Sequence, residues 1–396
     1  MANNNDKKVL NVPALRFPEF TEEWQGEQLH EIAELSKGIG ISKEQLSENG
    51  TPCILYGELY TKYKSEIISK IISKTDIEKS KLKHSKQNDV IIPCSGETAI
   101  DIAVARCVPF DNVLLGGDMN VIRLHKYDGA FMAYQLNGKR KTDIAKLAQG
   151  VSVVHLYGEN LKSIKTYNPS LQEQQKIVKL LSMLDERLEV QNKIIEDLKK
   201  LKSAIIHRCY SSQTNMIPLS ELLKQCSDRN RSGSDLQVLS VSNKYGFIAQ
   251  SNQFEDREVA SDDTSNYKVV KKGMFAYNPA RINVGSIALY EMDGNGIVSP
   301  MYVCFTTKSE LLPSYLKYYF ASQTFKHEMY KRLEGSVRLC LTFEELCNIE
   351  IHLPSIEQQK NISKYISKIE NNLSLVDSIF SKYQQQRRYL LSQMFI

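Results

Sequence analysis

The sequence predicts an α+β protein of two globular domains, each followed by a long helix. The two helices are expected to pack as an antiparallel coiled coil with pseudo-twofold symmetry. Three observations support this prediction: a repeat of fixed spacing, two long glycine-free segments of helical periodicity, and short apolar strands elsewhere. A chain of 396 residues is long enough for two or three ordinary domains.

The repeat is clearest in two segments that begin with proline. Residues 169–177 read PSLQEQQKI and residues 354–362 read PSIEQQKNI, so the second follows the first by 185 residues. The same spacing, without a gap, relates further pairs on both sides: Tyr134 and Tyr319, Gly150 and Gly335, Leu161 and Leu346, Leu188 and Leu373. Each match is weak alone, but their shared register indicates two related halves.

Each repeated proline is predicted to begin a long helix. Pro169 and Pro354 suit a first helical turn, where a missing N–H costs nothing, and Asn168 is the predicted cap of the first helix. No glycine or further proline occurs from there to about Tyr210, or in the second segment to about Phe395. The predicted helix-pair packing positions are Ile177, Leu181, Leu184, Leu188, Ile195, Leu198, Ile205, Ile362, Ile366, Ile369, Leu373, Phe380, Tyr383 and Leu390.

An alternative arrangement is that each helix packs on its own domain as an ordinary core helix. The paired arrangement is favoured because both apolar stripes run the full length of their segments. Antiparallel packing would bring Ile177 near Leu390, whereas parallel packing would bring it near Ile362.

These elements divide the chain into a polar N-terminal tail, two globular domains and two helices. The predicted boundaries are 1–12, 13–168, 169–212, 213–353 and 354–396. Each domain is expected to end with an amphipathic helix, at 130–148 or 313–333, and then a small-residue loop and a short strand.

The sequence contains no motif that indicates catalysis in this chain. Residues 278–281 read NPAR, which lacks the second proline and the aromatic residue of the Asn-Pro-Pro-aromatic motif of N6-adenine methyltransferases. There is no Walker loop, and the eight cysteines form no Cys-x-x-Cys pair, so free thiols are expected. Without a signal peptide or a membrane-length apolar segment, a cytoplasmic location is expected.

The order of a variable domain, Pro-Ser-Leu-x-Glu-Gln-Gln and a long helix, repeated once, resembles the specificity (S) subunit of type I restriction-modification enzymes. Residues 12–20, VPALRFPEF, with Trp24 shortly after, resemble the N-termini of that family. Residues 275–288, FAYNPARINVGSIA, resemble a stretch of its target-recognition domains. The resemblance covers essentially the whole chain, and the repeated proline motif is its most specific part.

The resemblance implies that each domain is a target-recognition domain reading one half of a bipartite, asymmetric site in double-stranded DNA. The helices would be spacers whose length sets the gap between the half-sites. Two modification (methyltransferase) subunits and restriction (translocase and nuclease) subunits would be partners. This chain would hold no metal or cofactor, and the partners would bind S-adenosylmethionine, ATP and Mg²⁺ and perform all catalysis.

Candidate DNA contacts come from loops that interleave basic, aromatic, amide and hydroxyl side chains, which supply phosphate donors and base-edge hydrogen bonds. The net charge of +5 permits such local contacts without requiring them. The candidates are Tyr60, Lys62, Tyr63, Lys64, Ser95, Thr98, Lys139, Arg140, Arg229, Asn230, Arg231, Asn243, Lys244, Tyr245, Arg281, Asn283 and Arg338. For any one loop alone a solvated polar surface is the favoured interpretation, and the alternative function is a non-catalytic coiled-coil scaffold with peptide-binding domains.

Overall fold

A computed structural model describes residues 10–78, 80, 82–212, 214–231, 233–250, 263–335 and 339–396. The chain divides into two compact units, Met1–Asn192 with Ser378–Ile396, and Lys193–Asp377. Each boundary lies inside a long helix, and the boundaries at positions 192 and 377 are 185 residues apart, which is the repeat spacing.

The first unit has thirteen described strands and the beginning of the first long helix. The strands are β1 (Gln25–Gln28), β2 (Ala33–Lys37), β3 (Leu46–Ser47), β4 (Thr51–Ile54), β5 (Ser73–Thr75), β6 (Lys83–His84), β7 (Asp89–Pro93), β8 (Ser95–Gly96), β9 (Arg106–Val108), β10 (Leu114–Leu115), β11 (Met119–Leu124), β12 (Val154–His155) and β13 (Lys165–Asn168). The helices are α1 (Leu29–Ile32), α2 (Glu58–Thr61), α3 (Ala99–Ile102), α4 (Gly129–Asn137), α5 (Lys141–Lys146), α6 (Gly158–Leu161) and α7 (Leu171–Tyr210).

An antiparallel sheet of order β2-β11-β7-β9 forms the centre of the first domain, beside a mixed sheet of order β3-β5-β4-β10-β6. Strand β7 is buried along its whole length. Because successive side chains of a strand point to opposite faces, Val90 and Ile92 enter one apolar cluster and Ile91 enters another. The central sheet therefore has an apolar core on each face.

The second unit repeats this architecture. Its strands are β14 (Met216–Pro218), β15 (Leu223–Cys226), β16 (Gln237–Ser242), β17 (Gly246–Ala249), β18 (Lys268–Val270), β19 (Phe275–Tyr277), β20 (Ile287–Leu289), β21 (Gly296–Val298), β22 (Val303–Thr307) and β23 (Glu350–His352). Its helices are α8 (Leu219–Leu222), α9 (Pro313–Phe320), α10 (Gln323–Lys331), α11 (Phe343–Cys347) and α12 (Ile356–Gln393). The sheet order β15-β22-β19-β20 corresponds to β2-β11-β7-β9, so the fold confirms the two related halves.

The two long helices pack antiparallel within each unit. In the first unit, Ile177 near the start of α7 and Leu390 near the end of α12 belong to one apolar cluster with Trp24. In the second unit, Ile206 near the end of α7 and Ile366 near the start of α12 share another cluster. The predicted fold class is confirmed, and both helices also pack on the domains, so the two arrangements considered from sequence occur together.

The predicted packing positions differ in burial. Ile177, Leu181, Leu184, Ile195, Ile366 and Leu390 are buried, while Leu188, Leu198, Ile205, Ile362, Ile369, Leu373, Phe380 and Tyr383 are half-buried. In the described part of the chain, neither of these helices nor any other is long and apolar enough to span a membrane.

The predicted cap of the first long helix was wrong. Asn168 is the last residue of β13, and its side-chain amide donates to Glu27 and Thr166. The hydroxyl of Ser170 instead accepts the backbone N–H of Glu173 at 3.4 Å, and Ser355 accepts that of Gln358 at 3.3 Å. The proline thus precedes the cap, and each helix begins two residues later than the sequence predicted.

The amphipathic helices predicted at 130–148 and 313–333 are each two shorter helices. Helix α4 ends before Gly138, whose N–H donates to the carbonyl of Tyr134, and α5 follows after a turn. In the second domain, Ser322 separates α9 from α10 because its hydroxyl accepts the N–H of Phe325 at 3.1 Å and caps α10. Apolar periodicity continues across both breaks, which is why the sequence predicted single helices.

The repeated Glu-Gln-Gln motif has a structural role that can be read from Gln174. This side chain is fully buried, its amide donates to the carbonyl of Pro169 at 2.8 Å, and its oxygen accepts the N–H of Asp128 at 2.9 Å. One glutamine side chain therefore forms hydrogen bonds both to the start of α7 and to Asp128, the residue that caps α4.

Gln359 does the same in the second unit, 185 residues later. Its amide donates to the carbonyls of Pro354 and Glu310, and its oxygen accepts the N–H of Leu312, each at 2.9 Å. Leu312 precedes α9 as Asp128 precedes α4. The glutamine repeats because the same backbone junction needs the same two hydrogen bonds in both halves.

Glu173 links the N-terminal segment to α7. The side chain is buried, accepts a bidentate pair from Arg16 at 2.7 and 2.8 Å, and accepts the indole N–H of Trp24 at 3.3 Å. The hydrogen bond with Glu173 raises the pKa of Arg16 above its usual value. The opening segment and the first proline motif are thus one packed structure.

A second repeated feature is an ion pair between the long helices. In the first unit, the Arg387 guanidinium donates to Asp185 at 2.5 Å and to Glu66, while the hydroxyl of Tyr134 donates to Asp185 at 2.6 Å. In the second unit, Lys202 donates to Glu370 at 2.6 Å. Position 370 follows 185 by the repeat spacing, and position 387 follows 202 by the same spacing, so the pairs are equivalent.

Candidate nucleic-acid interface

The first domain has a cleft of about 1120 Å³ between α2, β8 and the loop before β12. Tyr60, Lys62 and Ser95, three of the candidate DNA contacts, line this cleft. The hydroxyl of Tyr60 donates to the carbonyl of Ser95 at 2.7 Å, and burial raises the pKa of this phenol, so it remains a hydrogen-bond donor. Lys62 donates to Glu58 and Ser73, which holds its ammonium group at the rim.

Other candidates of the first domain have structural contacts. Tyr63 is buried, and its hydroxyl accepts the N–H of Ile72 at 3.2 Å, which takes its ring away from any contact with DNA. Ser95 is buried as well, and its hydroxyl donates to Asp118 at 3.4 Å. Thr98 is exposed and caps α3, and Lys64 donates to the carbonyl of Tyr60 at 2.8 Å.

Lys139 and Arg140 are not among the residues lining the first cleft. They lie in the turn between α4 and α5, where Arg140 donates to Asp143 and stacks over the ring of Tyr167 at 5.2 Å. Arg140 also donates to the backbone carbonyl of Ile396 at 2.6 Å, so its contacts join this turn to other parts of the first unit.

The second domain has a smaller cleft of about 360 Å³, lined by Asn243, Asn278 and Arg281 among others. Asn278 caps a 3₁₀ helix, Pro279–Val284, by accepting the N–H of Ala280 at 3.0 Å. This cap explains the Asn-Pro motif as a backbone element that presents the exposed Arg281 at the cleft. The left-handed φ of +92° at Gly285 ends the turn.

A hairpin turn beside this cleft carries Asn243, Lys244 and Tyr245, all of them exposed. The ammonium group of Lys244 lies 4.9 Å from the ring centre of Tyr245, and the interaction with that phenol raises the pKa of Lys244. Tyr245 is 68% exposed, which leaves its ring available for stacking or for a contact with a sugar.

The remaining candidates of the second domain are dispersed. Asn230 is buried and forms hydrogen bonds with Ser234, so its amide is not available, while Arg229 donates to Asn266 at 2.9 Å and Arg231 is exposed. Asn283 is half-buried and accepts through its carbonyl from Tyr330. Arg338 lies outside the described residues.

Arg106 is one of the cleft-lining residues that were not among the sequence candidates. It lines the first cleft from β9 and is only 8% exposed. A single arginine within the apolar run from Ile102 to Val108 was the available signal. Met301 and Ser299 of the second cleft were missed too, because nothing in their local sequence distinguishes them from an ordinary loop.

The chemistry of these clefts is that of polar recognition. Among the described residues, no group of three His, Cys, Asp or Glu side chains is placed to hold a metal ion. Burial raises the pKa of Cys53 and of Cys94 to about 11, so both thiols stay protonated near neutral pH. The first cleft offers ammonium, guanidinium and hydroxyl donors together with the carboxylates of Glu58, Glu97 and Asp101, and the second offers amide, hydroxyl and guanidinium groups.

Two α+β domains on one repeated framework, with polar clefts lined by different side chains, define a tandem recognition protein. Residues 21–200 and 232–379 match the family model of the type I restriction modification DNA specificity domain. The chain therefore belongs to this family, and it is a specificity subunit of a type I restriction-modification system, the subunit type responsible for DNA sequence recognition.

Relatives agree with this assignment. The chain is 25% identical over 324 residues to the type I restriction enzyme MjaVIII specificity subunit of Methanocaldococcus jannaschii, across 73% of this chain and 74% of the relative. The S subunit of a type I restriction-modification system from M. genitalium has a similar fold, with a TM-score of 0.64 at 18% identity, across 97% of this chain and 99% of that one. A chain from a structural study of complex assembly and conformational transition of the type I R-M system gives 0.52 at 16% identity, across 94% and 97%.

Proposed function

We propose that each domain reads one half of a bipartite, asymmetric site in double-stranded DNA and that the long helices set the spacer between the half-sites. The main support for the proposal is that the two halves share the same framework contacts but have different residues in their clefts. The buried glutamines Gln174 and Gln359 make equivalent hydrogen bonds, whereas Tyr60 and Lys62 line one cleft and Asn243 and Arg281 line the other. Two copies of one scaffold with different contact groups suit two different half-sites.

We further propose that this chain is not catalytic and binds no cofactor. Two modification subunits would dock on it and supply S-adenosylmethionine-dependent adenine methylation, and restriction subunits would supply ATP- and Mg²⁺-dependent translocation and cleavage. The hydrogen-bonding groups that line the clefts, among them Tyr60 in the first and Asn243 and Arg281 in the second, support a reading role. Exposed apolar residues along the helices, such as Val190, Leu201 and Leu375, support docking of partner proteins.

Sequencing of methylated adenines in a host that carries this chain with its modification partner tests the proposal. We expect one asymmetric motif of two short blocks separated by a fixed number of unspecified bases. Methylation that requires a single continuous motif would refute the division of reading between the two domains, and methylation by the isolated chain would refute the absence of catalysis.

Lengthening both helices is expected to change the spacer. Inserting four residues after Gln191 in α7 and four after Val376 in α12, which are equivalent positions, leaves the packing register inside each unit intact. Four residues lengthen a helix by about 6 Å, so the accepted spacer should grow by at most about two base pairs, with both half-sites unchanged. Methylome sequencing of the variant measures the motif.

The control for this variant keeps the helix length. Replacing residues 190–193 by the inserted sequence, without an insertion, is expected to preserve the original spacer. An insertion in α7 alone should make α7 and α12 unequal in length between the two domains. Because the paired helices then no longer match, methylation of every site should decrease. A changed half-site with an unchanged spacer would show that the helices do not measure the distance.

Replacing Arg281 by glutamine is expected to relax one base position of one half-site. Arg281 is exposed at the second cleft, and a base-reading arginine contributes about 1–3 kcal/mol of discrimination. Competition binding by the chain with its modification partner, against a panel of single-base variants at fixed salt, measures this. Arg231→Gln, an exposed arginine that does not line the cleft, is the matched control and should weaken all sequences alike. Uniform weakening by Arg281→Gln would make Arg281 a backbone contact.

A further inference from the structure

Arg106 is a buried cation without a counterion among the described residues. It lies in β9 and is 8% exposed, and its Nε atom is buried without a hydrogen-bond partner. No hydrogen bond or ion pair joins its guanidinium to any other side chain in the part of the chain that the structure describes. Retaining a charge inside a protein without a partner is costly, so such a group is a candidate for ligand binding.

Arg106 lines two cavities of the first unit. One is the cleft that contains Tyr60 and Ser95, and the other is a neighbouring cavity of about 930 Å³. Arg106 and Lys62 line both, so the two spaces adjoin at these side chains. A ligand in either cavity can therefore meet the guanidinium of Arg106 and the ammonium group of Lys62, which is also paired with Glu58.

The second cavity is rich in positive charge. Besides Arg106, its walls carry Lys62, Lys64, Lys70, Lys141 and Arg388. The acidic side chains Glu66 and Asp185 also line it, but both are already engaged by Arg387. Glu189 is the remaining acidic group of the lining, so the free charges of the wall are predominantly positive.

The acidic neighbours do not neutralise Arg106. Burial lowers the pKa of Arg106, and attraction by Glu66 and Asp185 only partly opposes this because Arg387 repels the same guanidinium. Glu66 has its second oxygen occupied by the amide of Asn137 at 3.2 Å. The nearby carboxylates are committed to other donors, which leaves Arg106 to a ligand.

We propose that Arg106, with Lys62 at the rim, forms a phosphate-binding site in the first unit. A planar guanidinium supplies two parallel donors that match phosphate oxygens, and a lysine adds a point charge. The phosphate has two possible sources, the backbone of bound DNA, which rests on the proposed function, or a free phosphate ion. In either case the anion supplies the counterion that the protein itself lacks.

The DNA source is tested by the salt dependence of binding. The chain with its modification partner is titrated with its DNA site at several salt concentrations, for wild type, Arg106→Met and Arg106→Lys. Loss of one phosphate contact should lower the slope of log K against log salt by about 0.9 in Arg106→Met, while Arg106→Lys should retain it. Lys162→Met removes a surface charge paired with Glu159 and should leave the slope unchanged.

The free-ion source is tested by thermal unfolding of the full chain in rising inorganic phosphate at constant ionic strength. Wild type should gain stability saturably, and Arg106→Met should not, since only a folded site binds the ion. In phosphate-free buffer without DNA, Arg106→Met should unfold at a higher temperature than wild type, because a buried unpaired charge has been removed. A purely structural arginine would give the opposite sign.

The outcomes separate the alternatives. A reduced salt slope supports the DNA backbone as the source, and saturable phosphate stabilisation with an unchanged slope supports a free ion. An unchanged slope together with no phosphate effect, or a lower unfolding temperature of Arg106→Met without ligand, overturns the site. If the wild-type complex binds no specific DNA, the proposed function fails, while the phosphate titration still decides the site.

Discussion

Replacing Arg387 by alanine is expected to lower the free energy of unfolding of the first unit by about 3 kcal/mol. Its guanidinium donates to Glu66 and Asp185, whose side chains are almost fully buried. Attraction by these carboxylates outweighs the effect of burial and raises the pKa of Arg387 above its usual value. Without the guanidinium, two buried carboxylates lose their counterion, and this desolvation without compensation accounts for the large effect.

Trp24 makes this effect measurable in the full chain. It is the single tryptophan of the sequence and is buried in the first unit, so its fluorescence during urea unfolding reports on that unit. The matched control is Lys202→Ala, which breaks the equivalent but more exposed pair with Glu370 in the second unit. That pair contributes less than about 1 kcal/mol, and the Trp24 transition should not move. Equal losses for the two variants would contradict the argument from burial.

Replacing Gln174 by leucine is expected to cost about 2–4 kcal/mol, since two buried backbone groups lose their partners. These groups are the carbonyl of Pro169 and the N–H of Asp128, which join the start of α7 to the cap of α4. Glutamine and leucine side chains have similar volumes. The loss of unfolding free energy therefore measures the missing hydrogen bonds and not a change in packing. Urea unfolding monitored by Trp24 fluorescence measures it.

Gln175→Leu provides the matched control, because the same substitution falls one residue later on the exposed face of α7. It should change the unfolding free energy by no more than about 0.5 kcal/mol. Gln359→Leu should destabilise the second unit and leave the Trp24 transition in place, which hydrogen exchange of α9 and α12 can show. A small effect of Gln174→Leu would mean that the repeated glutamine is kept for another reason.

Much of the architecture could be predicted because it depends on periodic patterns. The 185-residue spacing paired the halves, and the long apolar stripes identified α7 and α12. The need to bury both stripes predicted that the helices pair, and the cluster that contains Ile177 and Leu390 confirms the antiparallel direction. The identity of single residues predicted the first and last residues of helices less well. Asn168 resembles a cap in sequence, but its side chain is used between two strands.

The structure brings only some of the candidate contact residues to clefts, and their contact with DNA stays a prediction. Among those that line the two clefts are Tyr60, Lys62, Asn243 and Arg281. The same composition also occurs at Asn230, where the amide is buried and bonded to Ser234. Composition alone does not separate a side chain that faces a cleft from one that stabilises its own loop.

The amino-acid sequence by itself determined the two halves, the two long helices and the family, because each depends on spacing along the chain. Only the tertiary structure decided which charged groups have partners. Arg106 and Arg387 are both arginines of the first unit, yet Arg387 binds two carboxylates and Arg106 has no acceptor among the described residues. The difference arises because β9 and α12 place these side chains in different surroundings, and burial then sets the energy of each charge.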